Sequence, residues 1–433
     1  MAADGTGLSG TPVLGHTVPF FHRPLAFRRE CAESATGVVR LSVLGRDVFY
    51  LSHPDIIEAA LVDGHEAFSR DDSLQKRLEP TLGRGLLNSD GEFWKRQRRL
   101  VQPAFNPRRI ETQYAEVMYE EGRRLRERLE PGETFELYEE MKTLASGALL
   151  RTTFGDDVDP EPGYDAIRDI NISGWLLPSW VPTYSNRRFR RGLNALNDIV
   201  YDEVARRRRE RGDGDMLDLL LDAQTDDGTR MTDDEVRDEV VTLLFAGHGT
   251  SSAGLTYAMD LLSTHPGIQS SLASGVDRKL DGPPEPSDWD RLDAVDRAYR
   301  ETLRLYPPTY SIRRRADEST VSGGHEIAEG SFIEVSPWGM QRDRRWYDDP
   351  EQFRPDRWTD EYEADLPEFA YSPFGVGPHR CIGRQFGLTS ARLTLATPLE
   401  GYRYELVSDP DLDLETAVTI EPSTDLEVLV RER

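Results

Sequence analysis

Lysine is almost missing from this 433-residue chain. Four of its 53 basic residues are lysine (Lys76, Lys95, Lys142 and Lys279), and the rest are arginine. Cysteine is as scarce: Cys31 and Cys381 exclude a disulfide framework and leave room for one bridge at most. No apolar run approaches the ~18 residues of a membrane span, so no transmembrane anchor is expected. The first ten residues lack the basic n-region and apolar h-region of a secretion signal, and a cytoplasmic protein is the expectation. An excess of positive charge is lacking too. With 78 acidic residues the net charge is −25, which argues against a protein that grips nucleic acid by neutralising phosphates.

What is present in excess is acid. Carboxylates stay hydrated in molar salt, where their repulsion is screened to a Debye length of ~3 Å. Arginine also pairs with acidic surfaces more effectively than lysine. The composition therefore predicts a halophilic protein, folded cooperatively in molar KCl and weakened in dilute buffer.

No internal repeat or low-complexity linker divides residues 1–433, and a single domain is expected. The alternation VVRLSVLGRDVFYLS from Val38 to Ser52 predicts a β-hairpin turning at Gly45-Arg46-Asp47, followed by a short helix, DIIEAALV. A basic helix is expected from Asp90 to near Pro103, and another from Asn194 to Arg211, whose arginine run Arg206 to Arg209 reads as a solvated helix end. Thr232 and Glu235 form a capping box ahead of a helix running to Thr264, and its apolar middle should pass through the protein centre. Gly247 and Gly249 near its midpoint cost helix stability, so close approach to something is expected there. A further helix spans Asp293 to Leu305, with strands at Phe332 to Val335, Tyr402 to Leu406 and Leu426 to Val430. Helix dominates: the fold class is mostly α, with a long central helix and a minor β portion.

Several motifs fail their context. GTGLSG at Gly5 to Gly10 follows no strand and precedes Pro12, so it is no dinucleotide loop. The eight histidines show no zinc-site spacing with the cysteines, and no nucleophile elbow or Walker loop occurs. Cys381 is different. It stands in SPFGVGPHRCIG, a loop of small residues opening into a helix from Arg384, where a thiolate is favoured by the helix dipole and free N–H groups. Gly375 and Gly377 let backbone approach a flat ligand, and His379 and Arg380 offer donors to anionic groups.

This loop resembles the heme-binding loop of cytochromes P450, its F-x-x-G-x-x-x-C-x-G pattern met at Phe374, Gly377, Cys381 and Gly383. Glu301-Thr302-Leu303-Arg304 is similar to that family's E-x-x-R helix, PEQFRPDRW from Pro350 to Trp358 to its P-x-x-F-x-P-x-R segment, and Trp94 with Arg98 to its W-x-x-x-R helix. Four motifs in the expected order span most of the chain. The resemblance implies the cytochrome P450 fold, with heme b (iron protoporphyrin IX) as cofactor and Cys381 as iron ligand, and Phe374 and Gly375 in the cofactor loop. It further implies that Trp94, Arg98, Arg314 and His379 hold the heme propionates, while Glu301, Arg304 and Arg357 form a structural ion network.

The implied activity is insertion of one atom of O2 into a small apolar substrate. With no fused reductase expected, electrons come from a separate ferredoxin-type donor with its reductase, docking on Lys95, Arg96, Arg99, Arg344, Arg345 and Arg384. The resemblance also places Ser73 to Leu87, Ile172 to Pro182, Phe245 and Ala246, Thr309 to Ile312, and Val418 to Ile420 around the substrate, and the apolar Ile172 to Pro182 suggests a lipid-, terpenoid- or carotenoid-like one. One departure stands out. The family pattern A-G-x-[D/E]-T-[T/S] here reads Ala246-Gly247-His248-Gly249-Thr250-Ser251, so glycine replaces the acid while Thr250 remains. Thr250 and Ser251 are the catalytic candidates, with water or Ser252 completing a proton relay and His248 read as a core histidine. The rival readings are a peroxide-driven peroxygenase, an isomerase, and a non-catalytic heme-thiolate sensor.

Overall fold

The computed structural model describes residues 15–34, 36–156, 158–171, 181, 183–210, 212, 214–280, 284–410 and 412–433. The GTGLSG sequence and, Val181 apart, the apolar Ile172–Pro182 segment lie outside these residues. Strands β1 (Val38–Val43) and β2 (Arg46–Leu51) form the expected hairpin. Its turn comes one residue early. Val43 pairs with Arg46, leaving Leu44 and Gly45 as a two-residue turn with φ of 51° and 75°. Positive φ at both positions matches the right-handed twist of the flanking strands, and Leu44 adopts it at some cost. The DIIEAALV helix is α-helical over Pro54–Glu58 and then widens into a π turn at Ala59–Asp63.

A short strand, β3 (Phe68–Ser69), precedes the helices that build the centre: α1 (Gly91–Val101), α2 (Leu137–Phe154), α3 (Tyr184–Arg209), α4 (Asp233–Thr264) and α5 (Asp293–Leu305). Strands β4 (Ile312–Ala316) and β5 (Phe332–Val335) join the hairpin in a sheet of order β1-β2-β5-β4-β3, in which only the β2–β5 pair is parallel. Helix α6 (Arg384–Ala396) follows the Cys381 loop. A small hairpin of β6 (Leu414–Thr416) and β7 (Ile420–Pro422) lies against α4. A three-stranded sheet near the carboxyl end has Glu427–Glu432 between Thr134–Glu136 and Tyr402–Leu406.

Helix α4 is the axis of the molecule. At 1.5 Å per residue its 32 residues reach about 48 Å. Its start is fixed by the capping box: Glu235 N donates to Thr232 Oγ1 (3.2 Å) and Thr232 N to Glu235 Oε2 (3.0 Å). Val236, Val240, Val241 and Leu244 on one side of its midpoint, and Leu255, Ala258, Met259 and Leu262 on the other, belong to the largest apolar core. The basic run at the end of α3 is exposed at Arg208 and Arg209, as expected of a solvated helix end, but departs from that at Arg207. Arg207 is buried, donating to Asp215 (2.5 Å), to Asp218 (2.9 Å) and to the Phe154 carbonyl (2.7 Å). The chain after α3 folds back and brings two acids to it, which pins α3 to the end of α2.

Candidate functional site

The Cys381 loop is held by backbone contacts that only glycine permits. At Gly377, φ is 68° and a Cβ would stand 2.0 Å from the Leu61 carbonyl, which the π turn presents. Gly375, with φ 78°, lets its own N–H reach the Ser372 carbonyl (3.0 Å). Cys381 N then donates to the Phe374 carbonyl (2.8 Å), closing the loop just before α6. The thiol is open to solvent on one side yet densely surrounded by protein. That burial pushes its pKa up, opposed by the Gly383 N–H and by Arg98. The dipole advantage expected at a helix entrance is therefore outweighed by desolvation. A bound cation would supply the missing term, because a coordinating metal deprotonates a thiol. Cys31 is a separate buried thiol, and the two are not linked.

Beside the loop is a concentration of positive charge. Trp94 and Arg98 project from α1, Arg314 from β4, His379 from the Cys381 loop, and Arg70 from the chain after β3. The Trp94 and His379 rings lie 4.0 Å apart, Arg98 Nη1 donates to the Arg380 carbonyl (3.1 Å), and Arg70 Nη2 donates to His379 Nδ1 (3.2 Å). Burial, then Arg70, lowers the Arg314 pKa to about 10; burial, followed by Arg70 and Arg314, lowers His379 to about 3. Burial likewise lowers Arg70 and Arg98. Asp90 is the carboxylate among these cations, 3.6 Å from Arg70 Nε and 3.8 Å from His379 Nε2. Two guanidiniums, Arg70 and Arg314, share the one acid Asp90, and Arg98 adds a third positive charge beside His379, so the site calls for further negative charge. The sequence reading missed Arg70. Its neighbours Asp71 and Asp72 make it look like a surface residue, and only the fold brings it to His379.

Behind the loop lies a buried network centred on Glu301. Glu301 accepts from Arg304 (2.8 and 2.9 Å), Arg357 (3.0 Å), the Arg354 N–H (3.0 Å) and Trp358 Nε1 (3.0 Å), with Glu301 and Arg304 fully buried. Arg304 also donates to the carbonyls of Gln341 and Pro350. Gln341, unremarked in the sequence, completes the link to the site: its amide donates to the Leu303 and Arg304 carbonyls, and its oxygen receives the Ser372 N–H (3.0 Å). Ion pairs of this kind hold geometry because both Glu301 oxygens and most of the guanidinium donors are engaged, with Arg357 Nη2 the buried exception.

In the middle of α4, among otherwise buried turns, Phe245, Ala246, Gly247, Gly249, Thr250 and Ser251 are only half-buried, so the helix opens onto an interior space. Gly247 answers to α2, since a Cβ there would meet Leu149 at 2.9 Å. Around Gly249 the space is free except for Thr419 Oγ1, 3.9 Å from where its Cβ would be. Thr250 Oγ1 donates to the Ala246 carbonyl (2.7 Å), and the buried Ser252 hydroxyl to the His248 carbonyl (2.7 Å). His248 packs away from this opening, bonded to Ser146 Oγ (2.8 Å), and burial lowers its pKa to about 4; it is a core histidine. Of the expected apolar lining, Ile420 turns inward against Ala253 and Tyr257.

The basic patch is thinner than its sequence suggests. Arg96 is bound to Glu235 (2.7 Å), Arg345 to Asp343 (2.5 Å) and to the carbonyls of Ala32 and Ser52, and Lys95 to Glu92 (2.9 Å). Arg99, Arg344, Arg380 and Arg384 are exposed. Among the described residues no helix is long and apolar enough to cross a membrane.

Comparisons with known proteins agree with this geometry. The cytochrome P450 family model matches residues 6–428. The chain is 33% identical over 407 residues to cyclooctatin synthase of Streptomyces melanosporofaciens, covering 89% of this chain and 87% of that protein. It is 31% identical over 420 residues to pentalenene oxygenase of Streptomyces avermitilis, covering 94% and 93%. The crystal structure of the cytochrome P450DA heme domain superposes with a TM-score of 0.87 at 27% identity, over 98% of this chain and 97% of that one. With the motifs assembled in one fold and the family model spanning nearly its whole length, this chain is a cytochrome P450, an oxidoreductase of the monooxygenase family.

Proposed function

We propose that the chain is a heme-thiolate monooxygenase in which Cys381 ligates the iron of heme b and the arginine cluster receives the heme propionates. The family carries heme b, and the observation that supports it here is the charge imbalance beside Cys381: Arg98 next to the thiol, and Arg70 and Arg314 sharing the one carboxylate Asp90. Two propionates would balance that charge, with Trp94 and His379 completing their surroundings. When bound, the heme supplies a redox centre whose axial thiolate favours O–O cleavage. The protein's own part is to fix the thiolate with the Gly375–Gly383 loop, keep the loop on the Glu301 network, and present Thr250 and Ser251 at the opening of α4.

The substrate proposed is a small apolar molecule of terpenoid or carotenoid type, attacked at a C–H or C=C bond. The names pentalenene oxygenase and cyclooctat-9-en-7-ol 5-monooxygenase support an alkene-bearing carbon skeleton. The half-buried Phe245 and Ala246 beside Thr250 support an apolar reacting space. Electrons are proposed to come from a ferredoxin-type donor with its reductase, docking on the exposed Arg99, Arg344 and Arg384 rather than on the internally paired Arg96 and Arg345. The unlinked thiols accord with a reducing cytoplasm, and the acidic composition with work in molar salt.

Purified holoenzyme with donor, reductase and O2 should convert a cyclic terpene alkene into a product one oxygen heavier. Turnover with peroxide alone, or without any oxidant, would replace this reading with the peroxygenase or the isomerase.

A further inference from the structure

Monooxygenation consumes substrate, O2, two electrons and two protons, and yields hydroxylated product and water. Protons must therefore reach a site buried at the middle of α4. That helix cannot supply them itself: from Val240 to Met259 it carries no carboxylate, and the flanking Glu239 and Asp260 are buried. The Thr250 hydroxyl proton is committed to the Ala246 carbonyl, which leaves Thr250 Oγ1 as an acceptor facing the opening.

One carboxylate lies across that opening on another element. Thr419, at the tip between β6 and β7, stands 3.9 Å from where a Gly249 Cβ would be, and its hydroxyl donates to Glu421 Oε1 (2.9 Å). The other oxygen, Oε2, receives the hydroxyl of Tyr138 on α2 (2.9 Å). Glu421 is half-buried, in reach of solvent on one side and of Thr419 on the other. The tip is pinned from two sides: Ile420 N donates to the Pro308 carbonyl (2.9 Å), and the hydroxyl of Tyr257, two turns along α4 from Gly249, donates to the Ile420 carbonyl (2.9 Å). Thr419 is thereby held over the gap that glycine leaves at 249.

We infer that Glu421 and Thr419 form the proton entry to the reaction site, with Tyr138 as the positioning residue that fixes the carboxylate. In each pass Glu421 is protonated from solvent, the Thr419 hydroxyl hydrogen turns from Glu421 toward water on the Thr250 side, and Thr419 Oγ1 takes the Glu421 proton as it releases its own to that water. One O–H bond breaks and one forms at each oxygen, no electron moves, and the carboxylate left behind is reprotonated. Two passes satisfy the stoichiometry. This inference rests on the monooxygenase reading, and its tests separate the two.

Glu421→Gln keeps the shape of the side chain and one acceptor oxygen, with its NH2 donating to the other hydroxyl oxygen, but cannot pass protons. In the holoenzyme it should lower product formed per electron consumed by about tenfold, less than the ~100-fold or more of a full general acid–base effect because water still delivers some protons, with substrate affinity unchanged. Glu415→Gln, on the opposite strand and exposed, should leave the ratio as it is. Gly249→Glu combined with Glu421→Gln should restore much of the loss, since a Cβ at 249 meets only ordinary contact with Thr419. Unchanged coupling in Glu421→Gln, or loss of substrate affinity without rescue, overturns the relay. A second readout needs no turnover: crystal structures of wild type and Thr419→Val. An ordered water bonded to both Thr419 Oγ1 and Thr250 Oγ1, present in the first and lost in the second, supports the relay whatever reaction the enzyme performs. A water-free gap in the wild type overturns it even if the monooxygenase activity stands.

Discussion

At Arg314, burial and the neighbouring Arg70 both favour loss of the proton, and Asp90 alone opposes them. In the heme-free protein this cluster is under electrostatic strain, which anionic propionates would relieve. Arg314→Gln should therefore weaken heme retention about tenfold, equivalent to ~1.4 kcal/mol, yet leave the melting temperature of the heme-free protein unchanged or higher. Heme dissociation rates and thermal unfolding of both forms measure this. A lower heme-free melting temperature with normal retention would make Arg314 a structural residue only. Residues at this scale were legible where short-range motifs carry them, as with Cys381, Trp94, Arg98, Glu301 and Arg304. Arg70, Gln341 and Trp358 were not legible as partners, because each acts through a contact between segments far apart in sequence.

Among elements, α4 and α5 were readable to the residue. A capping box, acids on the helix dipole and a following proline set the ends of α4, and Pro307-Pro308 stops α5. Local chemistry could not disclose that Arg207 is buried, since Asp215 and Asp218 arrive only when the chain reverses after α3. Nor could it show Thr419 beside Gly249, a contact made by a hairpin tip 170 positions away. Helix α4 also carries Glu239, whose pKa is raised to about 7, first by burial, against the stabilising Leu86 N–H and Gln97 amide. A carboxyl whose folded pKa lies above its unfolded value of 4.5 contributes stability that is present below about pH 4.5 and is lost as pH rises through about 7. Glu239→Gln removes that loss. Its stability relative to wild type should rise between these pH values by up to roughly 3 kcal/mol and then level off. Parallel stability–pH curves for the two proteins would show that Glu239 does not titrate in this window.

For the whole molecule, the −25 charge is the ground of the proposed adaptation to salt. Many arginines are held in ion pairs, several of them exposed and worth about 0–1 kcal/mol each, so they cannot offset the acid excess in dilute buffer. Screening in molar KCl should raise the melting temperature well above its value in dilute buffer, and equal melting temperatures would set the salt-adaptation reading aside. The proposed docking of an electron donor is tested on the same surface. Arg99→Glu with Arg384→Glu should slow reduction by an acidic donor at low salt and matter less at high salt, while rates equal to wild type at both would place the docking face elsewhere.

The account stands most directly on Cys381 as the axial ligand of a heme whose propionates the arginine cluster receives. The reduced, carbon-monoxide-bound difference spectrum of the purified holoprotein measures that. The account predicts the long-wavelength band of thiolate-ligated heme in the wild type and its loss in Cys381→Ala. A wild-type spectrum without that band, or one that survives Cys381→Ala, would contradict it.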